Sequence, residues 1–184
     1  AYIGPGYEKF EGKSVAQIAG EMGKSCLDAY LELCELSNFK GRINMGPYST
    51  PEIVSELSKD ELCLYMTDAW VEDAGVQNPA IYDCFPKFLK YSLCGSGASM
   101  PETIRKMSAA VAERFGIKKR GYLRPGYYAD LTVFDEDALR TGVEDRQESF
   151  GIEKVYINGS LVLDGGQLDA EAIKHSGRAM RYEG

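Results

Sequence analysis

Histidine is nearly absent from this chain of 184 residues, because His175 is its single example. A catalytic zinc site needs about three protein ligands, which are most often imidazoles, carboxylates or thiolates. One imidazole therefore makes no such site, and His175 is predicted to be a solvent-facing residue of the tail. The chain by itself is expected to bind no catalytic zinc.

Long apolar runs, a secretion signal and paired cysteines are also missing. No stretch reaches the roughly 20 apolar residues that a membrane-spanning helix requires, and the N-terminus has neither the basic start nor the apolar core of a signal peptide. The five cysteines form no Cys-x-x-Cys pair, and an odd number of them is typical of reduced thiols. These absences predict a cytoplasmic protein that contacts no membrane.

Positive charge is scarce, since 21 Lys and Arg face 28 Asp and Glu for a net charge of −7. Binding to nucleic acid requires clustered cations, so this balance argues against it. The densest basic run, residues 118–120, is predicted to be a solvated helix end. The Gly-rich residues 95–99 lack the preceding strand of a dinucleotide-binding motif and are predicted to be a flexible loop.

The first 120 residues alternate between predicted strands and helices, an order that favours an α/β unit with parallel strands. Strands are expected at residues 2–3, 42–45 and 62–66, and the last is apolar enough to be buried on both faces. Helices are expected at residues 14–20, 25–36, 52–57, 85–93 and from a Ser99–Glu102 capping box to Phe115. The apolar residues expected on their buried faces are Val15, Ile18, Ala19, Leu27, Tyr30, Leu31, Cys34, Ile53, Val54, Leu57, Ile104, Met107, Val111 and Phe115.

After Gly121 the pattern becomes that of a small β module. Residues 129–134 alternate like a strand, and residues 155–157 and 160–163 flank Asn158-Gly159. Asn and Gly tolerate the positive φ angles of a type I′ turn, so these residues predict a hairpin. We therefore expect two domains, residues 1–120 and residues 121–184.

Asp68 is the candidate catalytic residue, because it follows directly after the predicted buried strand 62–66. In α/β barrels, catalytic side chains stand at the C-terminal ends of the strands, where they converge on one pocket. The alternative is that Asp68 caps the following loop or helix. Position alone leaves both interpretations open.

Several stretches carry, in order along the chain, a resemblance to the C-terminal part of the N-acyl-D-amino-acid deacylases, or D-aminoacylases, of the metal-dependent amidohydrolase superfamily. The segment from Gly121 to Gly166 is similar to the wider superfamily, and residues 78–86 point to the deacylase branch. The stretches are Gly12-Lys13-Ser14-Val15-Ala16-Gln17-Ile18-Ala19, the strand that ends in Asp68, Asn78-Pro79-x-x-Tyr82-x-x-Phe85-Pro86, the helix 101–115, Gly121-x-Leu123-x-Pro125-Gly126-x-x-Ala129-Asp130-Leu131-x-Val133-Phe134-Asp135, Val155-x-Ile157-Asn158-Gly159, Gly165-Gly166 and Gly177-Arg178.

The resemblance implies the last βα units of an incomplete (β/α)₈ barrel followed by a small β-sandwich module. In such enzymes a zinc-activated water attacks an amide carbonyl, and an aspartate after the last barrel strand moves the proton to the departing amine. Asp68 matches that aspartate, and towards the metal it would be at most a weak ligand. The implied substrate is an N-acyl amino acid, and no residue is identified as binding it.

The sequence also departs from the family. The metal-binding histidines of the earlier barrel strands are missing, Asn78 stands where deacylases often carry His, and Thr67 and Ala69 replace the common Ser and Gly. A full barrel takes about 250 residues, so this one would be incomplete. The chain alone is therefore expected to be inactive, and its partner is expected to be the missing N-terminal half of the barrel or further copies of itself. A non-catalytic structural or assembly module derived from the same fold is the alternative.

Overall fold

The computed structural model describes residues 2–43, 46, 49–73, 75, 77–144 and 148–180. The chain divides into two compact units, Ala1–Ser49 with Ala69–Asn78, and Thr50–Asp68 with Pro79–Gly184. Among the described residues, no helix has the length and apolarity needed to cross a membrane. The predicted domain boundary at residue 121 stays a prediction.

Two α-helices form most of the first unit, α1 (Val15–Met22) and α2 (Cys26–Leu36). Helix α1 begins with a capping box, in which the Ser14 hydroxyl accepts from the Gln17 amide and the Gln17 side chain accepts from the Ser14 amide. Gly23 ends it with a φ of 64°, a left-handed conformation that suits glycine. The predicted separation of the two helices at Gly23 is confirmed.

The core of the first unit is small and has one strand-like contact beside it. Tyr2 and Arg42 exchange two backbone hydrogen bonds of 2.8 and 2.7 Å, and this isolated antiparallel bridge stands where strands were predicted. The expected parallel pairing is therefore wrong at this place, and residues 44 and 45 lie outside the described residues. The buried core residues are Ile3, Phe10, Ile18 and Leu33.

The helices of the second unit are close to those predicted from the sequence. They are α3 (Pro51–Lys59), α4 (Ala80–Leu93), α5 (Met100–Met107) and α6 (Ala109–Arg114). The single helix predicted up to residue 115 is wrong, because the chain breaks at Ser108 between α5 and α6. The predicted capping box at Ser99 is also wrong: its side chain makes no cap bond, and Glu102 instead accepts two 2.8 Å hydrogen bonds from Arg105.

A four-stranded antiparallel sheet follows, in the order β1 (Leu131–Phe134), β2 (Ile152–Ile157), β3 (Ser160–Asp164) and β4 (Gln167–Leu168). Between β2 and β3, Asn158 and Gly159 have φ angles of 50° and 86°. Both central residues thus adopt the positive φ of a type I′ turn, and the predicted hairpin is confirmed.

Two short helices accompany this sheet: α7 (Glu136–Thr141) lies between β1 and β2 along the chain, and α8 (Ala170–Ser176) follows β4. Neither was predicted from periodicity, because each is too short to show a clear apolar repeat. Each begins at an aspartate, Asp135 or Asp169, whose side chain accepts from backbone amides of the first turn. His175 is exposed in α8, as the prediction of a solvent-facing residue requires.

Residues 62–66 do not form the predicted buried strand. Leu62 and Met66 are 86% and 71% exposed, and Tyr65 alone in this stretch is buried. A strand needs a neighbour that accepts and donates ladder hydrogen bonds, and no strand pairs with these residues in the described part of the chain. They form an extended segment instead.

The buried faces of three helices also differ from prediction. In α2 the buried residues are Ala29 and Leu33, while Leu27 and Leu31 are exposed. Helix α3 buries Ser58; Ile53 and Leu57 of that helix, together with Ile104 in α5 and Phe115 after α6, are exposed against expectation. Apart from Leu33, the buried residues named here are small or polar, and several larger apolar side chains are exposed.

Candidate active site

Asp68 lies in an irregular stretch of chain and its side chain is exposed. Its carboxylate makes no hydrogen bond or ion pair with any residue that the structure describes. No described helix begins between Asp68 and α4, which starts at Ala80. The interpretation of Asp68 as a helix cap is therefore wrong, and its carboxylate is accessible to solvent.

The chain just before Asp68 is held firmly within its own unit. The Tyr65 amide donates to the Lys106 carbonyl at 3.4 Å, and the Tyr65 ring lies 4.4 Å from that of Phe88, centroid to centroid. One residue later the Cys84 thiol donates to the Met66 carbonyl at 3.3 Å. Asp68 thus follows two anchored residues, one held by α5 and the other by α4.

Lys106 is the main anchor of this segment, and its side chain is completely buried. Its Nζ donates to the carbonyl oxygens of Ser58, at 2.7 Å, and of Asp60. Charged groups are seldom buried without partners, because desolvation costs several kcal/mol. Lys106 therefore fixes the end of α3 with its side chain and Tyr65 with its backbone carbonyl.

Sequence reasoning missed Lys106, because a lysine that follows an arginine on an amphipathic helix is typical of a solvated face. It also missed Asp83, which is 2% exposed in the first turn of α4. A carboxylate at that position benefits from the helix dipole. The sequence carries no signal for either burial.

Burial raises the pKa of the Tyr65 phenol, while its hydrogen bonds with Thr103 and Ser58 act in the opposite direction. The phenol is therefore neutral near pH 7 and serves as a hydrogen-bonding group. Thr103 and Ser58 are themselves buried. The Tyr65 side chain thus connects α3 and α5 below the exposed segment that carries Asp68.

The described residues do not form a zinc site. No three His, Cys, Asp or Glu side chains come together among them, and His175 lies exposed in α8. Burial raises the pKa of the Cys84 thiol, which disfavours the thiolate that binds metals. The expectation that the chain alone binds no zinc stays a prediction.

The residues that point to the deacylase branch form the beginning of α4. Asn78 is exposed before it, Pro79 is its N-cap residue, and Pro86 is buried inside it. This segment leads directly into the face of α4 from which Cys84 and Phe88 contact the residues before Asp68. The motif therefore helps to hold the Asp68 segment.

The motif residues after Gly121 are structural. Asp130 accepts from the Asn158 amide at 2.8 Å and pairs with Arg120, whose guanidinium also donates to Asn158 Oδ1 at 2.6 Å. These bonds tie the start of β1 to the Asn158-Gly159 turn. Gly121 has a φ of 81°, and a Cβ there would lie 2.9 Å from the Ala109 Cα, so glycine is required.

Comparisons with known proteins agree with this arrangement. Residues 78–163 match the Amidohydrolase family. The chain is 28% identical over 183 residues to D-aminoacylase of Alcaligenes xylosoxydans xylosoxydans, covering 95% of this chain and 35% of that protein. It therefore spans about a third of the length of that relative.

Solved structures show the same likeness. A crystal structure of D-aminoacylase, described as defining a novel subset of amidohydrolases, has a TM-score of 0.69 at 25% identity, over 90% of this chain and 34% of that chain. The N-acyl-D-glutamate deacylase of Bordetella bronchiseptica, solved with zinc and a phosphonate inhibitor, has a TM-score of 0.62 at 22% identity, over 84% and 33%. The resemblance found in the sequence is confirmed: the chain is similar to D-aminoacylase-type amidohydrolases over most of its length.

Proposed function

We propose that this chain is part of a metal-dependent hydrolase that cleaves the amide C–N bond of N-acyl-D-amino acids, with Asp68 as its proton shuttle. The observation that carries the proposal is the exposed carboxylate of Asp68, which has no partner in the described chain and follows residues anchored by Lys106 and Cys84. The D-aminoacylase relatives supply the substrate class.

Amide hydrolysis needs a group that moves a proton. The attacking water must lose a proton as it adds to the carbonyl carbon, and the amine must gain one before the C–N bond breaks. A carboxylate can do both in turn, accepting the proton from the water and delivering it to the amine nitrogen. Asp68 has the required chemistry and exposure. The described acids that follow it closely are Glu72 and Asp73, and Asp68 is the one next to the anchored residues 65 and 66.

Glu72 is committed elsewhere, which leaves Asp68 as the candidate. Its carboxylate pairs with the Arg42 guanidinium at 2.9 Å and accepts from the Trp70 indole at 2.7 Å. A carboxylate held by these two contacts must lose one of them before it can reach a substrate. Any zinc that the complete enzyme uses would need ligands from outside the described residues, and zinc would supply a water of lowered pKa.

The proposed architecture is the last βα units of a (β/α)₈ barrel followed by a β-sandwich module that contains the sheet β1–β4. The likeness to the D-aminoacylase structure over 90% of this chain supports it. The extended residues 62–66 also support it, since Leu62 and Met66 are exposed and no described strand pairs with this segment, which leaves room for a neighbour from another part of the protein.

The outward-facing apolar residues support the remainder of the barrel as the proposed partner. Ile53 and Leu57 on α3, Leu62 and Met66 after it, and Ile104 on α5 are all exposed within the second unit. Monomeric proteins seldom expose so many large apolar side chains without a partner for them. About two thirds of the relative's length is not represented in this chain, and the proposal assigns the cover to that part.

The assembly proposal is tested on the 184-residue chain by light scattering and thermal unfolding. We expect oligomers or aggregates, because the exposed apolar side chains and the unpaired segment 62–66 associate with one another. Addition of the separately produced remainder of the protein should shift the chain into a complex. A monodisperse, thermally robust monomer would contradict the proposal.

The activity is tested on the full-length protein that contains this chain. Purified with zinc, it should release the free amino acid from N-acetyl-D-amino acids faster than from the L-enantiomers, and removal of the metal should abolish turnover. A correctly folded, zinc-loaded protein that releases no amino acid from a panel of N-acyl substrates would favour the alternative, a structural or assembly module without catalysis.

A further inference from the structure

A groove on the second unit has the composition of an anion-binding site. It has a volume of about 530 Å³, which lies within the range of small-molecule sites, about 300–1,000 Å³. Four of its ten lining residues are cationic and none is acidic, although the chain as a whole has a net charge of −7. These cations are Lys118, Lys119, Arg120 and Arg178.

Among the described residues, Arg120 has a carboxylate partner, Asp130. Lys118, Lys119 and Arg178 form no ion pair with the residues that the structure describes. The guanidinium groups of Arg120 and Arg178 lie 4.3 and 5.5 Å from the centroid of the Tyr128 ring, and both distances are within cation–π range. Like charges gathered around one ring repel each other, and a bound anion would relieve that repulsion.

The wall of the groove that carries the lysines is held by backbone contacts. Lys119 has a φ of 60°, a left-handed conformation that is uncommon outside glycine. The Tyr128 amide donates to the Lys119 carbonyl at 2.9 Å, which fixes this turn against the floor of the groove. The basic run predicted to be a solvated helix end therefore becomes one ordered side of a groove.

The remaining lining is apolar. Phe115 and Met180 are 64% and 60% exposed, and Ile117 lies between Phe115 and the lysines along the chain. A groove lined by both cations and exposed apolar side chains fits a ligand that is charged at one end and apolar at the other. An inorganic anion would contact only the cations.

We propose that this groove binds a small organic carboxylate, with its anionic end between Lys118, Lys119 and Arg178 and its apolar part against Phe115 and Met180. Three observations support this assignment: the cations without a described ion-pair partner, the ordered turn at Lys119, and the exposed apolar side chains of Phe115 and Met180. The site is independent of the proposed hydrolase activity.

Calorimetric titration of the full-length protein with hexanoate, at low ionic strength, tests the proposal. We expect a dissociation constant of about 1 mM, since a ligand of this size gains about 0.5 kcal/mol per non-hydrogen atom at that affinity. Hexylammonium, which has the same chain and the opposite charge, should not bind. Inorganic phosphate should bind at least several-fold more weakly than hexanoate.

The decisive variant combines Lys118→Gln with Lys119→Asn. Asparagine tolerates the left-handed backbone at residue 119, so the fold should be retained while two charges are lost. Hexanoate should bind about tenfold more weakly to this variant, and with wild-type affinity to the matched control Lys9→Gln with Lys40→Gln, which loses the same charge at exposed positions. Absent hexanoate binding, equal binding to the two variants, or equal affinity for phosphate and hexanoate would overturn the proposal.

Discussion

Substitution of Asp68 by asparagine is expected to lower kcat for N-acyl-D-amino acids by about 10²- to 10⁴-fold in the full-length protein, the usual contribution of a general acid–base group. Asparagine has nearly the shape of aspartate but accepts no proton from the attacking water. KM should change little, because the lost interaction acts in the transition state. The measurement is steady-state kinetics at saturating zinc, with the bound metal determined in parallel.

Asp73→Asn is the matched control, since Asp73 is a second exposed carboxylate five residues further along the chain. Both substitutions remove one negative charge from the surface, and each should change the free energy of unfolding by no more than about 0.5 kcal/mol. Wild-type turnover in Asp68→Asn would remove Asp68 from the mechanism. A large fall in melting temperature would show that its carboxylate holds the fold instead.

Substitution of Lys106 by alanine is expected to destabilise the protein by about 2–4 kcal/mol. The change leaves a cavity where a fully buried side chain stood and takes the Nζ donor from the Ser58 and Asp60 carbonyls. The Asp60 carbonyl keeps a 3.1 Å hydrogen bond from the Cys63 amide, so Ser58 bears most of the loss. Thermal unfolding of the full-length protein measures the effect.

Arg105→Ala is the control for this experiment, because it changes the neighbouring residue of the same helix. Arg105 is exposed and pairs only with Glu102, so its loss should cost about 1 kcal/mol or less. Lys106→Met keeps most of the buried volume but lacks the Nζ donor, so its melting temperature should lie between those of Lys106→Ala and Arg105→Ala. If Lys106→Ala unfolds at the temperature of Arg105→Ala, Lys106 does not anchor the segment before Asp68.

Local signals in the sequence were enough for several elements. The Asn158-Gly159 hairpin, the end of α1 at Gly23 and the early proline of α3 depend on a few neighbouring residues, and each appears in the structure. The family resemblance also survived comparison with known proteins, because ordered motifs along the whole chain carry more information than any one of them.

Burial could not be predicted in the same way. The periodicity of α2, α3 and α5 correctly predicted amphipathic helices, but the larger apolar stripe of each was assigned to the interior of this chain. Which stripe is covered depends on what lies opposite, and helical periodicity contains no information about that. The helices that contain Leu31, Leu57 and Ile104 were predicted correctly. The error was to predict that these three side chains are covered by the rest of this chain.

Local chemistry in the chain specified its helices, its hairpin and its family, since caps, turns and motifs depend on residues close together in sequence. The long-range contacts settled what surrounds Asp68. Lys106 became a buried anchor because the carbonyls of Ser58 and Asp60, 48 and 46 residues away, meet its Nζ. Tyr65 is the last buried residue before Asp68 because the Phe88 ring of α4 and the Lys106 carbonyl of α5 both contact it. Such contacts exist only after folding, because they depend on the packing of α4 against α5 and on the hydrogen bond that joins Lys106 of α5 to Ser58 of α3.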